Sequence, residues 1–536
     1  MPEPVIDVER DPKPQHSKGR MAGIVGALTV FVSVVGYLRE ATLAARFGIS
    51  STMDAYFAAI FIPTLLYSIL ILGTLSPVFI PILIQEDPEK SPAKASTTFS
   101  AITNFVLLVL VGMVAVGVLG ASRWLPWLFP GFAAETDAMT KSLVYIIFPT
   151  LPLLAAAGIL TALLNGFHKF SLAAMAPAFA SLPVIAAALF ARGDHAIYVV
   201  GAATAAGFLL QFAVLVPAAW SLGIRYRPVF DFRHPAVAKL LRLGVPLFLY
   251  LVVANASLVL ERNFASRISA GAVSTLTYAF RLFTVPANFL AAPLAIVAYP
   301  GFAREAAKEK RGDLAGQTGR LFRMVVFLFL PITVWTLVNA GPITRLLYEH
   351  GRFMASDSFT TARILAIYSI GIIPNAVAAV LLRCFFAIED TVTPLLTEVF
   401  DLGLFIVAGF YLSRRFGLEG LVAARCITFF VVMTILVVIL VRRKLLLFDR
   451  GFVRLLFFTG LATITMGAAG WISLLFVQPY FVAGGTMIRA VLVGGELVLG
   501  AGVFFSMARL FRLEQARQIV DTVKGLLPGP WHRGTV

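Results

Sequence analysis

A chain of 536 residues that is 59% hydrophobic and only 13% charged, with a mean hydropathy of +0.88, has too few charges to cover a water-facing surface of that size. Soluble enzyme and soluble binding-module classes are excluded, and an integral membrane protein remains. A net charge of +16 would point to nucleic acid in a soluble chain, but here Lys and Arg fall mainly in short loops between apolar runs, which is the positive-inside pattern and leaves no nucleic-acid partner.

In chain order, the first 20 residues are polar and Pro-containing, and no small-residue cleavage pattern follows Met21, so they read as a retained tail rather than a signal peptide. Beyond them come apolar runs of the length, about 20 residues, that spans hydrocarbon as helix. They lie near 21–43, 55–84, 99–121, 141–165, 171–191, 197–221, 240–266, 274–302, 321–340, 359–382, 392–413, 418–441, 452–476 and 485–510. The expectation is an all-α polytopic membrane protein with about fourteen transmembrane helices and both ends on one side. Six helices in 21–221 would form an N-lobe and six in 240–441 a C-lobe, joined by a basic loop at 222–239. Two more helices would follow in 442–510, and then a tail in 511–536.

Orientation follows from the loops. Arg225, Arg227, Arg233 and Lys239 share a side with Arg304, Lys308, Lys310 and Arg311, with Arg442, Arg443, Lys444 and Arg450, and with Arg10, Lys13, Lys18 and Arg20 of the tail. The opposite loop at 477–484 holds no Lys or Arg, so both termini are expected in the cytoplasm. Cys384 and Cys426 fall in or beside predicted spans with no CxxC spacing, giving neither a disulfide framework nor a metal site. His168, His195, His234 and His350 are scattered, and no GxxxxGK[ST] loop is present, so neither catalysis nor ATP-driven transport by this chain is expected.

An internal repeat is visible. Leu43-Ala-Ala-Arg46 followed by Tyr56 and Pro63 resembles Phe264-Ala-Ser-Arg267 followed by Tyr278 and Pro286, at the first-to-second and seventh-to-eighth helix junctions.

Charges inside the apolar runs are the sharpest signal, because each costs about 2.5 kcal/mol or more at membrane depth unless it faces a cavity or a partner. Arg39 and Glu40 follow Gly36; Glu261 and Arg262 follow Asn255; Arg281 stands between Tyr278 and Pro286. Arg363 and Arg383 bound the tenth run, Glu398 and Asp401 lie in the eleventh, Arg425 in the twelfth and Glu496 in the last. For Arg39, Arg262 and Arg281 one reading is a wet cavity whose guanidiniums hold a phosphate-bearing substrate, since the Arg fork matches phosphate oxygens. The other is local ion pairing, Arg39 with Glu40 and Glu261 with Arg262, or snorkelling to the headgroups. Glu398 and Asp401, one helical turn apart, either bind a coupling cation or proton or leave one carboxylate to pair with Arg383. Asp54 and Arg46 read as gate or loop residues, and Glu40 and Glu261 join the acidic gate or coupling candidates. Gly36, Pro63 and Pro286 are candidate hinges, with ordinary close packing as the alternative.

At these residues the sequence resembles the MviN/MurJ family of bacterial lipid II flippases, within the multidrug/oligosaccharidyl-lipid/polysaccharide exporter superfamily. The resemblance is carried by Gly36-Tyr-Leu-Arg39-Glu40 running to Phe47-Gly48, by Asp54-Ala-Tyr-Phe with Pro63, and by Gly73 with Ser76, Phe79 and Pro81. It continues through Pro130-Gly131-Phe132, Leu164-Asn165 with Phe170-Ser171 and Ala176-Pro177, and Tyr278 with Arg281-Leu282 and Pro286. Further on come Tyr348 with Gly351 and Phe353, Tyr368-Ser369 with Gly371, and Arg383, Phe386-Ala387, Asp390 and Thr393-Pro394.

The resemblance implies two six-helix lobes around a cationic cavity, alternating access, and two extra helices forming a groove for a polyprenyl tail. It implies that Arg39 and Arg281 are cavity arginines, Asp54 an acidic residue at the external end, and Glu261 near an acidic position that some members use for sodium. Four positions depart from the family: Ser33, Tyr67 and Phe280 stand where it carries Arg, Arg and Asp, and Leu72 where it carries an acidic residue. The implied function is a flippase, not an enzyme, that carries a polyprenyl-diphosphate-linked glycan, foremost the peptidoglycan precursor lipid II, from the inner to the outer leaflet of the bacterial inner membrane. No cofactor is expected; Na+, H+ or the membrane potential would drive the cycle. Partners would be the lipid-linked glycan, membrane lipids and the cell-wall synthesis machinery. Alternatives are a flippase for another polyprenyl-linked glycan, a cation-coupled small-molecule antiporter, which predicts acidic cavity residues, and a non-transporting scaffold, which predicts the lost arginines.

Overall fold

The computed structural model describes residues 15–86, 91–231, 233–307 and 311–526. Arg10, Lys13, Lys308 and Lys310 of the charge pattern lie outside the described residues. Every regular element among the described residues is helical, as hydrocarbon demands of an open chain that has no water to satisfy its backbone.

The long helices, in chain order and apart from the short ones Ala121–Leu128, Ala340–Tyr348 and Glu514–Leu526, are α1 Gly26–Phe47, α2 Ser51–Gln85, α3 Ala93–Leu119, α4 Ala134–Gly166, α5 Phe170–Phe190, α6 Ala196–Trp220 and α7 Pro235–Ser266. Then come α8, made of Ala272–Pro286, Ala287–Ala291 and Ala292–Ala307, α9 Gly312–Val338, and α10, whose halves Ala355–Ile370 and Ile372–Ala387 meet at 43°. The last are α11 Val392–Arg442, α12 Arg450–Ala483 and α13 Thr486–Leu510. By length and apolarity eleven of these helices can cross a membrane, or twelve if the bent α10 is one span. That measure does not confirm a count of fourteen, for two reasons. The predicted runs 392–413 and 418–441 lie end to end in α11 and count as one span by length, although they break at Gly417, and the Pro-rich run at 274–302 is interrupted by a wide turn over Ala287–Ala291.

A straight 51-residue helix would be roughly 77 Å long, more than twice the hydrocarbon thickness. Gly417 resolves the excess: its φ of 62° and ψ of −138° break the helix, and the chain turns so tightly that a Cβ on Gly420 would lie 2.0 Å from the Leu412 carbonyl oxygen.

The two repeated junctions share further features. Gly48 follows α1 and Gly271 precedes α8, both at positive φ (61° and 83°). Pro63 and Pro286 are each followed by a stretch of wide-turn helix, at Ser68–Leu75 and Ala287–Ala291, where the missing proline N–H loosens the ladder.

The chain divides into two compact units. The first comprises residues to 43, 59–121 and 140–248. Its core joins Ile71, Phe79, Phe99, Ile102, Leu151 and Ile159. Small residues allow the backbones of α5 and α6 to touch, since a Cβ on Gly207 would fall 2.2 Å from the Ala180 carbonyl oxygen. The second comprises 44–58, 122–139 and 249–536. Here Phe327 of α9 packs with Leu455 and Met466 of α12 and Phe504 of α13. A second nucleus stacks Phe57, Tyr348 and Phe353 around Tyr278, with ring centroids 5.0–5.6 Å apart. Large apolar side chains such as Phe457, Phe476 and Val498 project outward from α12 and α13, as lipid-facing positions do.

Candidate functional site

In the first unit, the candidate residues begin at Gly36 on α1. A Cβ built there meets no atom within 4 Å, so the residue borders open space and close packing does not explain it. One turn on, Arg39 Nη2 lies 2.7 Å from Glu40 Oε1; Glu40 is 3% exposed and the Arg39 side chain 21%. The local ion pair is therefore formed, and the guanidinium keeps partial access. Of the departures from the family, Tyr67 packs beside Gly158, where a Cβ would sit 2.7 Å from the ring, while Leu72 is exposed and the Ser33 hydroxyl bonds back to Thr29 O.

In the second unit, Asp54 is a helix cap. Its two carboxylate oxygens accept the backbone N–H groups of Gly271 at 2.6 Å and Ser274 at 2.7 Å, satisfying orphan donors at the start of α8. The carboxylate also sits where the helix dipole is positive. Arg281, two turns on from Ser274, is the first exposed residue after an almost unbroken buried stretch of α8. Behind it, half-buried Arg262 of α7 lies within electrostatic reach.

Three further intramembrane charges, Glu261, Asp401 and Arg425, form one buried network. Tyr368 of α10 donates its hydroxyl to Glu261 of α7. Asp401 accepts from Arg425 Nη1 at 2.8 Å and from the Ser257 hydroxyl at 2.8 Å. The Arg425 guanidinium also lies 4.4 Å from the Phe429 ring centre and 5.4 Å from that of Phe405, and it is within electrostatic reach of Glu261. The network ties α7, α10 and α11 together, with two carboxylates around one guanidinium. Asp401 pairs with Arg425, not with Arg383, which is exposed. Glu398, one turn away, is part-buried, so the two carboxylates do not form an open, equivalent pair. Phe280, where the family carries Asp, stacks edge-on to Tyr368 at 5.8 Å, giving this side of the site an apolar wall.

Tyr368, Arg425 and Ser257 complete the network without having been singled out as site residues. Arg425 was visible as a charge in an apolar run and Tyr368 as part of a motif; Ser257, a small polar residue within a helix, carried no signal.

At the far end of the second unit, Glu349 ties the helical hairpin of α12 and α13 to the short helix Ala340–Tyr348. Arg489 Nη2 reaches Glu349 Oε1 at 3.1 Å, and Arg489 Nε donates to Phe481 O at 3.0 Å. Burial, then the Arg489 charge, holds the neighbouring His350 imidazole below its ordinary range. At the opposite loops, Asp390 accepts from Arg443 Nη1 at 2.6 Å and from Thr393 N at 2.9 Å. Desolvation alone would raise its carboxyl, but these hydrogen bonds outweigh it and hold the group below the usual carboxylate range.

The family described as "Lipid II flippase MurJ" matches residues 43–492. A probable lipid II flippase MurJ of Buchnera aphidicola is 26% identical over 492 residues, covering 90% of this chain and 95% of that protein. The lipid II flippase MurJ of Burkholderia cenocepacia is 29% identical over 378 residues, covering 69% and 73%. Among solved structures, a lipid II flippase MurJ in an inward closed conformation superposes with a TM-score of 0.77 at 21% identity, over 92% of this chain and 99% of that one. An inward-facing multidrug resistance MATE transporter of the MOP superfamily gives 0.64 at 13% identity, over 78% and 98%. At these identities the superpositions speak for the fold, and the family match speaks for descent. Because that match runs from the end of α1 into α13, through both repeated junctions and the charges of α7, α8, α10 and α11, the chain belongs to the MurJ family of lipid II flippases.

Proposed function

We propose that this protein flips lipid II, a polyprenyl-diphosphate-linked glycan, from the inner to the outer leaflet of a bacterial inner membrane, with both termini in the cytoplasm. The observation that carries the reading is the family match over residues 43–492. Arg39, Arg262 and Arg281 supply guanidiniums to the diphosphate during the cycle, and the α12–α13 hairpin holds the prenyl tail. Arg425 already neutralises Asp401, which argues against a coupling cation at that carboxylate and against the antiporter reading.

The membrane potential suffices as the drive. With the inside negative, moving an anionic diphosphate outward is favourable by about 2.3 kcal/mol per charge per 100 mV. Returning an emptied, arginine-bearing site inward is favoured by the same sign. Cell-wall synthesis enzymes would then consume the exposed lipid.

The test is complementation of cells depleted of their own flippase, with labelling of lipid II headgroups at the outer surface. Expression of this chain should restore labelling. If the chain inserts normally and labelling stays at the depleted level, the assignment of lipid II is wrong.

A further inference from the structure

The first unit holds a cleft lined by none of the residues proposed above to bind the transported lipid. It encloses about 780 Å³ between α3, α4 and α6. Its walls are apolar, from Phe99 and Leu107 of α3 across Ala156 of α4 to Phe212 of α6. Phe99 and Leu107 are eight residues apart, so the cleft runs roughly 12 Å along the helix axis, the direction in which an acyl chain lies. Two polar features break this lining. Thr103 of α3 is 6% exposed, and its hydroxyl has no hydrogen-bond partner. At the loop end stands Arg225, beside the exposed ring of Trp220.

Arg225 is held in place by its backbone. Ser96, Ser100 and Asn104 recur every four residues and so share one face of α3. Ser96 Oγ accepts the Arg225 N–H at 3.1 Å and Ser100 Oγ the Arg227 N–H at 2.8 Å. Asn104 Nδ2 donates to Val229 O at 2.7 Å and its Oδ1 accepts from the Tyr226 hydroxyl at 2.6 Å. The loop after α6 is thus pinned along α3 as a strap. Among the described residues the guanidiniums of Arg225 and Arg227 have no acidic partner, and both are exposed.

We infer that this cleft is a binding site for an anionic phospholipid: one acyl chain lies between α3, α4 and α6, an ester carbonyl accepts from the Thr103 hydroxyl, and the phosphate sits on Arg225 with Arg227 beside it. Each feature meets one part of such a lipid. Arginine presents a fork matched to phosphate oxygens; an orphaned buried hydroxyl needs an acceptor; tryptophan favours the boundary between apolar chains and headgroups. Charge complementarity selects an anionic headgroup over a zwitterionic one.

The experiment is native mass spectrometry of the full chain in detergent, titrated with dioleoylphosphatidylglycerol or dioleoylphosphatidylcholine. The first phosphatidylglycerol should bind about tenfold more tightly than phosphatidylcholine, the scale of one charge-assisted contact. Arg225→Ala should reduce that preference to within about twofold, and Ala156→Phe, which fills the cleft, should weaken the first step for both lipids. Thr103→Val, which keeps the shape, should also weaken both. Quenching by dibrominated phosphatidylglycerol should fall in Trp220→Phe, locating the lipid. Equal binding of the two lipids, or wild-type behaviour of both Arg225→Ala and Ala156→Phe, would overturn the proposal. So would displacement of the bound phosphatidylglycerol by stoichiometric undecaprenyl diphosphate, since the cleft would then belong to the transported lipid.

Discussion

Asp401 and Arg425 show how a residue-scale reading depends on its partner. Both are buried, and a buried charge is tolerated because its partner remains in place. Arg425→Met should therefore destabilise the protein by about 3–5 kcal/mol, and Arg425→Met with Asp401→Asn should recover most of that loss. Thermal unfolding in detergent checks this; additive losses would mean that the pair is not coupled. Asp390 gives a pH signature. Its folded carboxyl lies below the usual range, so the stability it contributes is present at neutral pH and is lost as pH falls through the folded value. The difference in melting temperature between wild type and Asp390→Asn should shrink on acidification below about pH 4, whereas a constant difference would exclude the Arg443 and Thr393 contacts as its source. Charges inside apolar runs were legible in the sequence because each is costly and needs a reason. Adjacent partners were legible too, as Arg39 with Glu40 shows, but distant ones were not, since Asp401 meets Arg425 only across the Gly417 break and local spacing pointed to Arg383 instead.

At the scale of elements, hydropathy located almost every helix, because a spanning helix must be long and apolar whatever its neighbours. It also separated residues 392–441 into two runs by turn chemistry, and the helix breaks between those runs at a single residue, Gly417, in a backbone region that side chains avoid. A Cβ at Gly417 would meet nothing closer than 3.8 Å, so Gly417→Ala should cost about 1–3 kcal/mol through backbone strain alone. Gly207 differs: its obstacle is the Ala180 carbonyl oxygen at 2.2 Å, so Gly207→Ala must push α5 and α6 apart. Unfolding measurements on both variants separate the two causes, and an unchanged midpoint for Gly417→Ala would contradict the strained turn. The repeat between the two junctions, faint in sequence, gains substance from matching left-handed glycines and matching wide turns after Pro63 and Pro286.

At the scale of the whole molecule, composition alone excluded the soluble classes, and the motif order pointed to the family that the match over residues 43–492 then established. The sequence could not say what the acidic residues do: Asp54, read as a gate, caps α8, and Asp401, read as an ion ligand, is held by Arg425. The central proposal is that Arg39 and Arg281 each contact the diphosphate in the transport cycle. The direct measurement is lipid II translocation by the purified chain in liposomes with an inside-negative potential. Wild type should flip lipid II, and Arg39→Ala combined with Arg281→Ala should slow it more than tenfold, since each charge-assisted contact is worth about 1.5 kcal/mol or more. A doubly substituted protein that is folded and inserted but flips lipid II at the wild-type rate would contradict the account.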